Sequence, residues 1–224
     1  MPGPRRRSRL LLVGVIVLVA AVVGAIAYTH HRRPVAVFLG DSYTAGAGAS
    51  EPAKSAPYLL AQHYDWRAVM LARSATGYIS AVDPGQVWCG LAHCPSYTES
   101  IPDTAAASPD VVIVNGGRNE LSISGTPAWI QGVSDFFTEL HRAVPHAKII
   151  ATSPIWDDDP TPPEIATMGQ VVRQAVTTVG GIYVDLGEPL LGRPDLVASD
   201  GVHPNDAGNA AIAAAFEAVY PASA

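Results

Sequence analysis

From Pro34 onward the chain reads as a three-layer α/β fold on one five-stranded parallel sheet, and three features of the sequence predict it. Short β-branched runs alternate with longer amphipathic stretches, the form taken by parallel strands joined through helical crossovers. Each run is mostly apolar rather than alternating, as a strand covered on both faces should be. Polar, glycine-bearing segments follow directly on the strands, at the edge where open α/β sheets bind ligands.

Strand one is expected over Val35–Leu39, strand two over Arg67–Ala72, strand three over Asp110–Val114, strand four over Ala147–Thr152 and strand five over Gly181–Asp185. The expected order is 2-1-3-4-5. One intervening helix spans Pro127–Ala143, with Thr126 as N-cap and proline at its first position. A second spans Pro163–Val179 and stops at Gly180-Gly181. The last follows His203-Pro204-Asn205, with Ala207, Ala211, Ile212, Ala215, Phe216 and Val219 on one face. Ser74–Ser108 has little periodicity and contains both cysteines; it is expected to be a long loop that walls the pocket. No internal repeat occurs.

The head of the chain differs from this domain. Arg5, Arg6, Arg7 and Arg9 precede an uncharged apolar run, Leu10–Ala27, and His30, His31, Arg32 and Arg33 follow it. As a helix the run would span about 27 Å, enough to cross a hydrocarbon core. Residues 1–33 therefore read as a cytoplasmic tip with a transmembrane or signal-anchor segment, and residues 34–224 as the domain. The excess of arginine before the run places the domain outside the cytoplasm. Ala25-Ile26-Ala27 has the small-x-small form of a signal-peptidase site, so a secreted product is the other outcome. Arg6-Arg7 is also a pair of the kind found in twin-arginine export signals.

Six of the 14 Lys and Arg residues lie in that head and none of the 20 Asp and Glu, which leaves the domain with 8 basic and 20 acidic residues, a formal charge of −12. Such a field disfavours nucleic acid and anionic lipid as partners. Cys89 and Cys94 are the only cysteines; in an oxidising compartment they are expected to pair. A zinc site using both with His93 lacks a fourth ligand at motif spacing.

Four segments at strand ends carry chemistry. Strand one runs into Gly40-Asp41-Ser42-Tyr43, placing a hydroxyl just past a buried strand. The bland reading of Ser42 is a helix N-cap. Gly46-Ala47-Gly48 does not extend to a nucleotide loop, because Glu51 stands where the dinucleotide fingerprint needs glycine. After strand two, Gly77 can bring a backbone N–H close to a reacting carbonyl. After strand three, in Asn115-Gly116-Gly117-Arg118-Asn119-Glu120, Asn119 can aim an amide donor at the same crevice. After strand five, in Asp200-Gly201-Val202-His203, Asp200 can accept a bond from the imidazole and fix its tautomer. His30, His31, His63, His93, His141 and His146 show no such partner at motif spacing. Following strand four, Trp156 and Asp157 are expected to line the crevice, where Trp156 would stack on a sugar or acyl chain or anchor a loop.

In order and spacing these segments resemble the blocks of the SGNH hydrolase (GDSL-like lipase/esterase) family, over roughly residues 35–219. The resemblance implies a three-layer flavodoxin-like fold and an acyl-enzyme mechanism without metal or organic cofactor. Ser42 would be the nucleophile, His203 the base and Asp200 its orienting carboxylate. Ser42 N–H, Gly77 N–H and the Asn119 amide would form the oxyanion hole. Glu120 departs from the family's usual aspartate, which changes the reach of a carboxylate supporting the Asn119 loop. The expected substrate is a small acyl ester or an acylated glycan or lipid, the expected state a monomer. Transfer to an alcohol instead of water would make the same site an acyltransferase, and a non-catalytic glycan- or lipid-binding envelope module is the reading from another class.

Overall fold

Five parallel strands pair in the order β2-β1-β3-β4-β5: β1 (Val35–Gly40), β2 (Arg67–Met70), β3 (Val111–Asn115), β4 (Lys148–Thr152) and β5 (Ile182–Val184). The structure, a computed structural model, describes residues 32–83 and 89–221. The apolar run Leu10–Ala27 and its flanking arginines up to Arg9 thus lie outside the described residues. Among the described residues no helix is long and apolar enough to cross a membrane.

Successive strand side chains point to opposite faces, and the two cores follow from that alternation. Val37 and Leu39 of β1, Val112 and Val114 of β3, and Ile149 and Ala151 of β4 face one cluster. There they meet Trp129, Val133, Phe136, Phe137 and Leu140 of α4 (Pro127–Ala143) and Ile165, Met168 and Val172 of α5 (Pro163–Thr178). Ala36, Phe38, Ile113 and Ile150 face the other, against Leu60 of α2 (Ala56–His63) and Ile212 and Phe216 of α6 (Asp206–Val219). Both faces of the sheet are covered, which is why its strands carry so few polar residues.

The helix ends are capped as their sequences suggest. The Thr126 hydroxyl accepts from Trp129 N–H, and the Asn205 side chain accepts from Ala207 and Gly208 N–H. The Ser74–Ser108 segment is less irregular than its composition implies. Val82 and Cys94 form an antiparallel bridge, and a short helix, α3, spans Ile101–Ala106. At six residues, with Pro102 in its first turn, α3 is too short to show a helical period.

Register sets the level of the loops. Gly40 of β1 lies opposite Asn115 of β3, so the segments after these strands leave the sheet side by side. Those after β2 and β5 leave from the same edge, because all five strands are parallel.

Candidate active site

The turn after β1 is made by its own residues. At Gly40 a Cβ would lie 2.2 Å from the Thr44 hydroxyl and 2.3 Å from the Asn115 carbonyl, so no side chain fits. Asp41 caps the single turn α1 (Ser42–Ala45) by accepting from Tyr43 N–H at 3.0 Å. Ser42 is therefore the first residue of the turn, not its cap, and its hydroxyl is free for other work. Asp41 is 1% exposed; burial pushes its carboxyl up to about 6, against the Tyr43 N–H bond and the charges of Arg118 and His203.

The loop after β5 carries Asp200 and His203. Gly201, at φ +73°, allows the tight turn, and Ala198 N–H closes it on the His203 carbonyl at 2.7 Å. One Asp200 oxygen accepts from Val202 and His203 N–H, both at 3.0 Å, and the other faces His203 Nδ1 at 2.7 Å. Those bonds, the His203 backbone N–H foremost and then its imidazole, hold the Asp200 carboxyl down at about 2. A carboxylate only accepts, so Nδ1 bears the proton and Nε2 is left to accept. Nε2 stands 3.0 Å from Ser42 Oγ. The two loops are also joined directly. The Tyr43 hydroxyl, raised to about 12 chiefly by burial, donates to the Val202 carbonyl. Gly48, at φ +87°, leaves just the room that His203 Cβ and the Pro204 carbonyl occupy.

On the β2 and β3 side the expected donors divide. Asn119 Nδ2 donates to the Thr76 carbonyl at 3.0 Å, which ties the two loops while leaving its second N–H. The Gly77 N–H donates to the Ser80 carbonyl at 2.9 Å within its own turn, so it is not the free donor the sequence suggests. Ala75 instead adopts φ +65°, and its N–H meets no acceptor among the described residues. A Cβ at Gly77 would lie 2.3 to 2.6 Å from the Glu120 carboxyl arm; this glycine makes room for Glu120. The Glu120 side chain does not fall short or overshoot, but reaches across beneath the Gly77 loop.

Trp156 and Asp157 are drawn together by a residue that pattern reading passed over. The Arg118 guanidinium lies 4.7 Å over the Tyr43 ring and 4.4 Å over the Trp156 ring, and pairs with Asp157 at 2.9 Å. The Asp157 side chain is buried at 9% exposure and that of Arg118 largely covered at 11%. The Asp157 carboxylate is therefore turned onto Arg118 and not onto an open crevice. Its place in a glycine loop beside Asn119 was the only sequence signal for Arg118. Cys89 and Cys94 are disulfide-bonded, which removes both sulfurs as zinc ligands, and His93 faces Glu99 at 3.3 Å.

Residues 38–211 match the profile of the GDSL-like Lipase/Acylhydrolase family. The GDSL lipase Rv0518 of Mycobacterium tuberculosis is 27% identical over 223 residues, covering 90% of this chain and 91% of that protein. Among solved structures, a carbohydrate esterase family 2 enzyme of Corynascus thermopiles (Myceliophthora fergusii) superposes with a TM-score of 0.63 at 21% identity, over 86% of this chain and 67% of that one. An extracellular lipase of Streptomyces rimosus does so with a TM-score of 0.58 at 16% identity, over 84% of this chain and all of the other. With the sheet order, the serine turn and the profile in agreement, the chain belongs to the GDSL-like lipase/acylhydrolase family of SGNH hydrolases and is a carboxylic ester hydrolase.

Proposed function

We propose that the chain hydrolyses small acyl esters or acylated glycans or lipids outside the cytoplasm through an acyl-enzyme on Ser42. One observation carries the reading: the unbroken chain from Asp200 Oδ2 through His203 Nδ1, at 2.7 Å, and from His203 Nε2 to Ser42 Oγ, at 3.0 Å. In this reading Nε2 takes the Ser42 proton as the hydroxyl attacks the ester carbonyl, then delivers it to the leaving alcohol. Asp200, ionised down to about pH 2, faces the imidazolium that forms. The carbonyl oxygen, now negative, is received by Ser42 N–H, the remaining Asn119 N–H and a backbone N–H of the β2 loop. Water, activated by the same imidazole, then releases the acid.

The location rests on the basic and apolar head of the sequence, acting as anchor or cleaved signal, and on the disulfide, which persists in oxidising compartments. A fluorophosphonate probe together with a chain-length series of nitrophenyl esters and acetylated sugars tests the activity. Wild type should label and turn over, while Ser42→Ala should do neither. Near-native turnover by Ser42→Ala would remove Ser42 as nucleophile, and acyl transfer to added alcohols outrunning hydrolysis would make the enzyme a transferase.

A further inference from the structure

The Glu120 carboxylate is 1% exposed and accepts four hydrogen bonds. Three come from consecutive backbone groups of the loop after β2: Tyr78 N–H at 3.0 Å to Oε2, Ile79 N–H at 2.9 Å and Ser80 N–H at 2.8 Å to Oε1. The fourth is the Trp129 indole N–H of α4, at 2.9 Å to Oε2. Trp129 is fully buried, so the carboxylate fastens the loop to the packed core. Together with the Gly77 N–H on the Ser80 carbonyl, every N–H from Gly77 to Ser80 is engaged on this side. Upstream, the Ser74 and Ala75 N–H groups meet no acceptor among the described residues. Glu120 is also the immediate neighbour of Asn119, whose amide grips the Thr76 carbonyl of the same loop.

Resting on the esterase reading above, we infer that Glu120 is the positioning residue of the oxyanion hole. It acts through the loop it clamps and through Asn119, and touches no reacting atom. Its role is to hold the loop N–H and the Asn119 amide at one fixed separation, where a displacement near 1 Å is enough to cost about 10²-fold in rate. A buried carboxylate is well suited to this, because charge-assisted bonds to N–H groups are shorter and stronger than neutral ones. Glutamate rather than aspartate is needed for the span. Its arm must pass Gly77, the one residue there whose missing Cβ leaves room.

The test compares full-length wild type with Glu120→Gln, which keeps the shape but presents an amide N–H₂ where donors converge. Concentrations are normalised by fluorophosphonate titration of active sites, so partial unfolding does not enter the rates. We expect kcat on nitrophenyl acetate to fall roughly 10- to 100-fold with KM within about 3-fold, since the hole acts on the transition state. Affinity for an alkyl boronic acid, whose serine adduct is tetrahedral and anionic, should fall by the same factor as kcat/KM. The pH at which kcat/KM reaches half its plateau should not move, because His203 and Asp200 are untouched. Gly77→Ala, whose methyl would push the same carboxyl arm aside, should reproduce this pattern and carries the test if Glu120→Gln fails to fold. Wild-type turnover per active site, or a loss confined to KM with boronate affinity unchanged, would overturn the inference. An inactive, unlabelled wild type would instead overturn the esterase reading itself.

Discussion

Asp200 and Glu120 both gather several N–H donors at the same sheet edge, yet they sit in opposite physical settings. The Asp200 side chain is half-exposed, at 50%, and all its partners lie within three residues of it. Glu120 is sealed from solvent, and its backbone partners lie 40 to 42 residues earlier in the chain. A local carboxylate fixes one imidazole and little else. A long-range buried one joins separate elements, so removing it leaves stranded donors as well as a misplaced loop. The lesson is that activity and stability should separate at Asp200 and fall together at Glu120.

That separation can be broken by experiment. Asp200→Asn should keep the fold, with stability within about 0.5 kcal/mol of wild type as for most exposed substitutions. Its kcat should drop about 10⁴-fold as His203 loses its tautomer. Calorimetry beside single-turnover kinetics reads both, and a loss of only a few-fold would mean that another group orients His203. Asn119→Ala sharpens the same contrast from the donor side. It removes the oxyanion donor proposed above and frees the Thr76 carbonyl, and should lower kcat by about 10² to 10³ while slow probe labelling survives. If only KM rises, Asn119 binds ground-state substrate instead.

A third carboxylate, Asp41, supplies the smallest effect and a different signature. Its folded value of about 6 lies above the ordinary 3.8, so on raising the pH the unfolded chain ionises first. The stability that neutral Asp41 permits is complete below about pH 4 and is lost as pH rises through 6, by about 3 kcal/mol in all. Asp41→Asn keeps an acceptor for Tyr43 N–H and should abolish that loss. Urea unfolding of both proteins at pH 4 and pH 7.5 measures the difference, and parallel profiles would show that Asp41 is ionised throughout.

Much of this architecture was legible in the residues. Val35–Leu39 falls within β1 and Pro127–Ala143 coincides with α4, because buried strands and capped amphipathic helices leave local patterns. The pairing of Asp200 with His203 is legible for the same reason: a turn of three residues brings them together. Gly77 was misread because a glycine signals only that a side chain is excluded. Here the excluded volume belongs to Glu120, not to a substrate. Asp157 was misread because its partner, Arg118, lies 39 residues away on another strand end. Ala75 gives no signal at all, since nothing in an alanine announces a left-handed backbone.

The stack of Tyr43, Arg118 and Trp156 has a mechanical consequence. Swinging the segment after β4 away from Ser42 would part the Arg118 guanidinium from the Trp156 ring and from Asp157 at once while leaving it on Tyr43, and breaking a buried ion pair costs about 3 to 5 kcal/mol. That segment therefore behaves as a fixed jamb and not as a hinged door. On the β4 side, the entrance is thus expected to keep its outline as an ester arrives, so that this side selects by shape and not by closing around the molecule admitted.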